Sequence, residues 1–157
     1  MKGLSLINHA PTAPGLRLLG LGPNLVPING LSKLESFLNE NAFWAKGRNK
    51  EQVRKMLFHS SIIISLWHKN RLIGFGRATS DHVFRAVIWD VVIAPDRQGL
   101  GMGKLIIEAI LKNKKIKYVE KVYLMTTNST DFYQQLGFKI NNKQTLLILN
   151  KKSNSKF

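Results

Sequence analysis

Two periodicities of apolar residues divide the chain. A spacing of three and four, typical of an amphipathic helix, occurs in the stretches 28–44 and 49–60 and returns in 104–112. Two stretches rich in β-branched and aromatic residues, 61–80 and 84–94, lie between them, and a polar His-Lys-Asn turn interrupts the first. We therefore expect two helices, a hairpin, a long central strand and a third helix, in that order.

The last third of the chain continues the alternation. Residues 121–127 have strand composition, 129–138 have the composition of a short helix that begins at Ser129 or Thr130 and ends at Gly137, and 144–150 read as a closing strand. This order predicts a mixed α/β domain with one sheet.

Length and composition limit the class of protein. A chain of 157 residues with 44% hydrophobic residues is one ordinary globular domain. No apolar run approaches the roughly 20 residues of a bilayer span, so we expect no membrane partner, and the absence of cysteine excludes disulfides and thiol nucleophiles. We divide the chain into a loose N-terminal arm (1–25), the domain (26–150) and a basic C-terminal tail (151–157).

The charge favours anionic partners. The net charge is +15 and the isoelectric point is about 10.4, which suits nucleic acid, an anionic membrane surface or a phosphorylated cofactor. Lysines concentrate in 111–121 and 150–157, without the interleaved aromatic residues of RNA-binding sheets. Nucleic acid is therefore an alternative without a specific signal, and solvated helix ends and a frayed tail are the favoured explanation of these lysines.

A glycine-rich stretch joins the long strand to the third helix. Glycine occupies positions 99, 101 and 103, between Arg97 and Lys104. Unpaired amides at a helix N-terminus attract phosphate, and glycine lets a pyrophosphate approach them. Neither the P-loop pattern nor the dinucleotide fingerprint fits these residues. The candidate anion-binding residues are Arg97, Gln98, Gly99, Leu100, Gly101, Met102, Gly103 and Lys104; a tight turn without a ligand is the alternative.

Two motifs together carry a family resemblance. Q-x-x-G-x-G at 98–103 and F-Y-x-x-L-G-F at 132–138 resemble the GNAT superfamily of acyl-coenzyme A dependent N-acyltransferases. The resemblance implies acetyl-CoA as cosubstrate, no metal, and a mixed, mostly antiparallel central sheet flanked by helices. It also implies a splayed central strand pair that holds the acyl-CoA.

The stretches 72–104 and 43–57 resemble one branch of that superfamily, the cyanobacterial and chloroplast serotonin N-acetyltransferase type. This likeness, which covers about 37–148, implies an arylalkylamine acceptor such as serotonin or tryptamine, a place in melatonin biosynthesis, and a cyanobacterial cytoplasm or a chloroplast stroma. The chain departs from the superfamily at Thr126, where an asparagine is common; Asn128 is the nearest one.

Two residues are candidates for catalysis. By the resemblance, Tyr133 donates a proton to the leaving thiolate; a packing aromatic is the alternative. Asp90, just before the glycine turn, is a candidate base for the amine, directly or through water. An aspartate satisfied by arginine or backbone contacts is the alternative role for Asp90, and His82 is the weaker candidate base.

Further residues are expected to bind the substrates. The resemblance implies that the backbone of Val91, Val92 and Ile93 pairs with the pantetheine and meets the oxyanion. The expected acceptor-binding residues are Trp89, Asp90, Asp81 and Trp44. For Trp44 a place in the core is the favoured alternative, and the four scattered histidines give no metal-ligand spacing.

The sequence leaves other functions open. The acceptor is a small-molecule amine or, alternatively, a protein lysine or N-terminus. A non-catalytic module that binds acetyl-CoA or RNA is a separate class. The oligomeric state is open as well, with a dimer as one option.

Overall fold

The computed structural model describes residues 3–10 and 29–151. It divides into two units, residues 1–125 and 126–157, each taken by itself below. The first unit contains β1 (Leu4–Asn8), α1 (Gly30–Asn41), α2 (Lys50–Phe58), β2 (Ile62–His68), β3 (Arg71–Ser80), β4 (Arg85–Ile93), α3 (Met102–Leu111) and β5 (Lys121–Leu124). The second contains α4 (Thr130–Gln135).

The five strands form one sheet in the order β1-β2-β3-β4-β5. Neighbouring strands are antiparallel except β4 and β5, which are parallel. The hairpin of β2 and β3 and the long strand β4 confirm the strand predictions for 61–94. A mixed, mostly antiparallel sheet with helices is the fold class that the sequence predicted.

Helix starts follow local chemistry. Asn49 caps α2, since its side chain accepts from the Gln52 amide while the Gln52 side chain accepts from the Asn49 amide. In α1 the residue before the helix is Asn29, whose side chain makes no capping hydrogen bond. Leu34 and Leu38 of α1 and Val53 and Leu57 of α2 are buried, which confirms the helical spacing.

Helix α3 packs directly on β3, and a glycine makes this possible. A Cβ added to Gly76 would lie 2.6 Å from Ile106, so any side chain there would push α3 off the sheet. Ile106, Ile107 and Ile110 of α3 are fully buried. The tight contact fixes where α3 begins, and with it the position of the glycine turn that precedes the helix.

Strand β4 carries a β-bulge. Its register against β3 shifts between Phe75 and Arg77, and Asp90 has a left-handed backbone with φ of 52°. An extra residue in one strand turns two successive side chains to the same face. Asp90 therefore joins Trp89 on the face of Arg77, and this arrangement builds the site described next.

Two expectations are corrected. The N-terminal arm is not loose throughout, because Leu4–Asn8 pair with β2 as an edge strand. The closing strand expected at 144–150 is wrong: these residues form no strand and are exposed. No neighbouring strand among the described residues pairs with them to accept and donate backbone hydrogen bonds. The rest of the predicted arm, residues 1–2 and 11–25, and the tail beyond residue 151 lie outside the described residues.

Candidate active site

The turn between β4 and α3 presents a row of free backbone amides. The N–H groups of residues 99 to 104 make no hydrogen bond of good geometry with another described residue. Gly99 and Gly101 have left-handed backbones, with φ of 73° and 78°, and a Cβ on either would meet nothing within 4 Å. The N-terminus of α3 thus opens onto free space with six amides and the positive end of the helix dipole. This geometry fits a pyrophosphate.

Basic side chains surround that turn. Arg71 holds Asp96 with two hydrogen bonds of 2.7 and 2.8 Å, which lower the pKa of Asp96 to about 2. Arg97 Nε lies 3.3 Å from Asp96 Oδ2 but is buried without a hydrogen-bond partner among the described residues. Lys104 is exposed at the start of α3, 3.8 Å from Glu108. The exposed ammonium of Lys104 suits an anion at the turn.

The end of β4 has an open edge within the first unit. The ladder to β5 covers only Arg85 to Ile88, paired with Lys121 to Leu124, whereas β4 continues to Ile93. Residues 89–93 therefore have backbone groups on that side without a strand partner in the unit. An extended chain with amide groups could pair there as an added strand. Val91 and Ile93 lie beside Gly76 and Gly74 on the α3 side, and Val92 is buried.

Asp90 is the centre of a charged cluster. Its Oδ2 accepts from Arg77 Nε at 2.7 Å, and its Oδ1 accepts from Arg48 Nη1 at 3.1 Å and from Trp44 Nε1 at 2.9 Å. Burial of the carboxyl opposes ionisation, yet the arginine charges and the hydrogen bonds outweigh it and hold the pKa of Asp90 below its usual range. Asp90 therefore has the arginine contacts that the sequence offered as the alternative to a role as base.

Trp44 and Trp89 flank this cluster. Trp89 donates to Thr79 Oγ1 at 2.8 Å, and the Arg77 guanidinium lies 5.8 Å from the Trp89 ring. Trp44 is 47% exposed and meets Phe43 edge-to-face. The favoured alternative of a core position for Trp44 is wrong, because its indole is held at the surface by Asp90.

Asp81 has a local role that the sequence analysis missed. Its Oδ1 accepts from the amides of Val83, Phe84 and Arg85, and these bonds, that of Arg85 first, lower the pKa of Asp81. The residue lies in the β3–β4 turn, at the end of β4 opposite the glycine turn. That Asp81 binds the acceptor stays a prediction, as does the weaker role of His82, in the same turn, as a base.

Tyr133 lies on α4 in the second unit. Its ring meets Phe132 at 4.9 Å and Phe138 at 5.9 Å, both edge-to-face. Burial raises the pKa of Tyr133, so the phenol keeps its proton at neutral pH. Its role as a proton donor stays a prediction. Gly137, with φ of 93°, ends this helix as expected.

Arg48 and Arg77 are partners of Asp90 that were not predicted from the sequence. Both lie in stretches quoted for the family likeness, and a buried aspartate on a central strand was a signal that basic partners exist. Arg48 also borders a cavity of about 590 Å³ whose walls include Glu35 and Glu40 of α1. Those two carboxylates stand out in a chain with only nine acidic residues.

Residues 3–10 and 29–151 form neither a cluster of metal ligands nor a membrane-spanning helix. No group of three or more histidine, aspartate or glutamate side chains is arranged there to hold a metal ion. No helix there is long and apolar enough to cross a membrane.

Comparison with known families identifies the class. The acetyltransferase (GNAT) domain family matches residues 59–140, a span that includes β3, the bulge, the glycine turn and α4. The chain belongs to this family.

Several relatives match part of the chain. An uncharacterized N-acetyltransferase ycf52 of Porphyra purpurea is 45% identical, over 64% of this chain and 60% of that protein. Serotonin N-acetyltransferase 2, chloroplastic, of Oryza sativa is 35% identical, over 58% of this chain and 48% of that protein. Histone acetyltransferase TAP1 of Glycine max is 42% identical, over 45% of this chain and 31% of that protein. The chain thus spans 60% or less of the length of these relatives.

A solved structure has the same fold. The probable acetyltransferase of meticillin-resistant Staphylococcus aureus matches with a TM-score of 0.71, over 95% of this chain and 99% of that chain, at 23% identity. At this identity the likeness concerns the fold alone.

Proposed function

We propose that the protein transfers the acetyl group of acetyl-CoA to a primary amine, with an arylalkylamine as the acceptor class. The observation that carries the proposal is the row of six free amides from Gly99 to Lys104 at the start of α3. Membership of the GNAT domain family supports acetyl-CoA as the ligand of that row.

Acetyl-CoA supplies a thioester whose carbonyl carbon accepts the amine nitrogen as the carbon–sulfur bond breaks. The residues of the turn hold the pyrophosphate through backbone N–H groups, and Arg97 and Lys104 add charge. The free edge of β4 at 89–93 takes the pantetheine amides, and an amide near Val91 donates to the oxygen on which negative charge develops. Tyr133 gives its proton to the departing thiolate.

We propose that Asp90 positions the site rather than acting as a base. Its carboxylate already accepts from three donors, and its lowered pKa makes it a weak proton acceptor. By holding Arg48 and Trp44, Asp90 fixes the connection between α1 and α2 beside the bulge. The amine then loses its proton to water, directly or along a chain of waters.

The aromatic surface around Asp90 favours an aromatic acceptor. Trp44 and Phe43 are exposed, at 47% and 72%, and Trp89 is only partly buried. Flat indole surfaces stack well on such rings. Glu35 and Glu40, in the cavity beside Arg48, suit the ammonium form of an amine. The name of the rice relative points to the same acceptor class.

A protein amine is the second candidate acceptor. The name of the Glycine max relative supports it. The net charge of +15 acts against it for lysine-rich tails, because like charges repel at long range. We also infer a plastid or cyanobacterial setting, since relatives carry chloroplastic names or come from an alga and from the cyanobacterium Prochlorococcus marinus.

One assay separates these candidates. Thiol release from acetyl-CoA is followed with serotonin, tryptamine and a lysine peptide in parallel, and we expect the arylalkylamines to give the higher kcat/KM. A lysine peptide that outperforms both would reassign the acceptor to protein amines. Coenzyme A binding without thiol release from any amine would reduce the protein to a binding module.

A further inference from the structure

The end of the sheet opposite the glycine turn has features that acetyl transfer does not use. There the β3–β4 turn, residues 81–84, meets the α3–β5 connection, residues 112–120. The Lys121 amide donates to the Phe84 carbonyl at 3.2 Å, and His82 Nδ1 lies 3.3 Å from the Lys115 carbonyl oxygen. Nine residues of β4 separate this end from the glycine turn, roughly 30 Å of extended chain. Charge here does not serve the cofactor.

The β3–β4 turn is held rigidly with apolar side chains outward. Three backbone amides donate to Asp81 Oδ1, at 2.7 to 3.0 Å, and His82 has a left-handed backbone with φ of 67°. At the tip, Val83 and Phe84 are 56% and 55% exposed. A turn stabilised by this many bonds presents two apolar side chains with little further loss of backbone entropy when a partner buries them.

Lysines surround that tip. Lys114, Lys117 and Lys121 are exposed and make no ion pair with any described residue. Tyr118 is 81% exposed, with the Lys117 ammonium 5.3 Å from its ring. The one carboxylate of the connection, Glu120, is already paired with Arg85 at 3.0 Å. The surface thus combines a positive charge excess with exposed apolar groups.

We propose that this surface, made by residues 82–84, 114, 117, 118 and 121 and called the lysine face below, docks on an anionic lipid surface. A hairpin tip is convex, so it can enter a planar headgroup layer, whereas single-stranded nucleic acid requires a charged groove that follows its backbone. Val83 and Phe84 bury apolar area, and each nearby lysine contributes about 1 kcal/mol against anionic headgroups. Surface binding requires no spanning helix, so it replaces the earlier expectation of no membrane partner.

Vesicle co-sedimentation of the full chain tests the proposal. We expect binding to vesicles of equal parts phosphatidylcholine and phosphatidylglycerol, weakened by salt, and none to phosphatidylcholine alone. Replacing Lys114, Lys117 and Lys121 by Gln should lower vesicle affinity roughly 100-fold, from about 1 kcal/mol per lysine. Phe84→Ser should lower it as well, without removing any charge.

A matched variant separates location from total charge. Replacing Lys46, Lys50 and Lys55 by Gln removes the same charge from exposed positions around α2, and its vesicle affinity should stay within a few-fold of the unmodified chain. Equal losses in both triple variants, or binding to phosphatidylcholine alone, would overturn the proposal. Binding to poly(U) RNA that depends on Lys114, Lys117 and Lys121, with no vesicle binding, would assign the lysine face to nucleic acid instead. If a triple variant unfolds, the vesicle affinity of Phe84→Ser alone tests the proposal.

Discussion

Arg77 Nε donates to Asp90 Oδ2 across 2.7 Å and joins β3 to β4 at the bulge. The other carboxylate oxygen of Asp90 accepts hydrogen bonds from Arg48 and Trp44, which lie in the connection between α1 and α2. One side chain thus ties three segments of the chain together. The left-handed backbone of Asp90 costs about 1–2 kcal/mol in a residue with a Cβ, and the three bonds to its side chain offset that strain.

Asp90→Asn should affect both stability and rate. The change keeps the shape but leaves the guanidinium of Arg77, 14% exposed, without its counter-charge. We expect the free energy of unfolding to fall by roughly 3 kcal/mol. We also expect kcat to fall at every pH, because a positioning role does not depend on removing a proton.

Rate profiles against pH and denaturant unfolding measure these effects. Glu120→Gln, which breaks an exposed ion pair with Arg85, is the matched control and should change stability by less than about 1 kcal/mol. The hypothesis that Asp90 is the base predicts the opposite pH behaviour. A deficit of Asp90→Asn that disappears at high pH, where the amine is already neutral, would restore that hypothesis.

Gly101→Val should weaken cofactor binding strongly while the fold survives. A Cβ at Gly101 meets no protein atom within 4 Å, so it would occupy open space at the turn. We expect coenzyme A affinity to fall by at least roughly tenfold, because the phosphate can no longer approach the amides.

Gly47→Val is the control for backbone strain. Gly47 has a left-handed backbone with φ of 88° and equally open surroundings, but it lies between α1 and α2. Both variants should lose a similar 1–2 kcal/mol or so of stability, and only Gly101→Val should lose coenzyme A in calorimetry. Unchanged binding by Gly101→Val would move the pyrophosphate site elsewhere.

Tyr133→Phe should lower kcat with little change in acetyl-CoA affinity. The ring keeps its edge-to-face contacts with Phe132 and Phe138, and only the hydroxyl is lost. Loss of a general acid lowers the rate by roughly 10² to 10⁴-fold. Tyr118→Phe, an exposed ring, should leave kcat unchanged. A Tyr133→Phe enzyme with full kcat would leave Tyr133 as a packing aromatic.

His9 should make stability sensitive to mild acid. His9 is 6% exposed, its Nε2 lies 2.6 Å from Ser65 Oγ, and burial lowers its pKa from 6.5 to about 4. The folded state therefore favours neutral His9, whose contribution is fully present above pH 6.5 and is lost as pH falls from 6.5 to 4. At about 1.4 kcal/mol per pH unit, the loss reaches roughly 3 kcal/mol by pH 4.

Denaturant unfolding at a series of pH values checks this window. In His9→Gln, which cannot titrate, the free energy of unfolding should change much less between pH 7 and pH 4. The carboxylates with lowered pKa, Asp81, Asp90 and Asp96, lose their contributions only at lower pH, so they do not obscure the histidine. An equal acid response in both proteins would show that His9 is not the group responsible.

Local pattern determined most of the elements. The helical spacing in 28–44 and 49–60, the hairpin turn after His68 and the glycine turn could each be read from the sequence, because side-chain periodicity and backbone conformation at glycine are properties of neighbouring residues. The segment 144–150 shows the limit of this reasoning. Its apolar residues suit a strand, but a strand forms only where a neighbour accepts its hydrogen bonds, and no local pattern supplies that neighbour.

Tertiary structure alone decided the surroundings of Asp90. Its partners Arg77 and Arg48 are 13 and 42 residues away along the chain. Their meeting depends on the register of β3 against β4, on one extra residue in β4, and on how α1 and α2 pack. The sequence identified Asp90 as chemically important because a charged residue in an apolar strand must be satisfied. Whether arginines or a substrate satisfy it is a question of packing between distant segments, which no short stretch of sequence encodes.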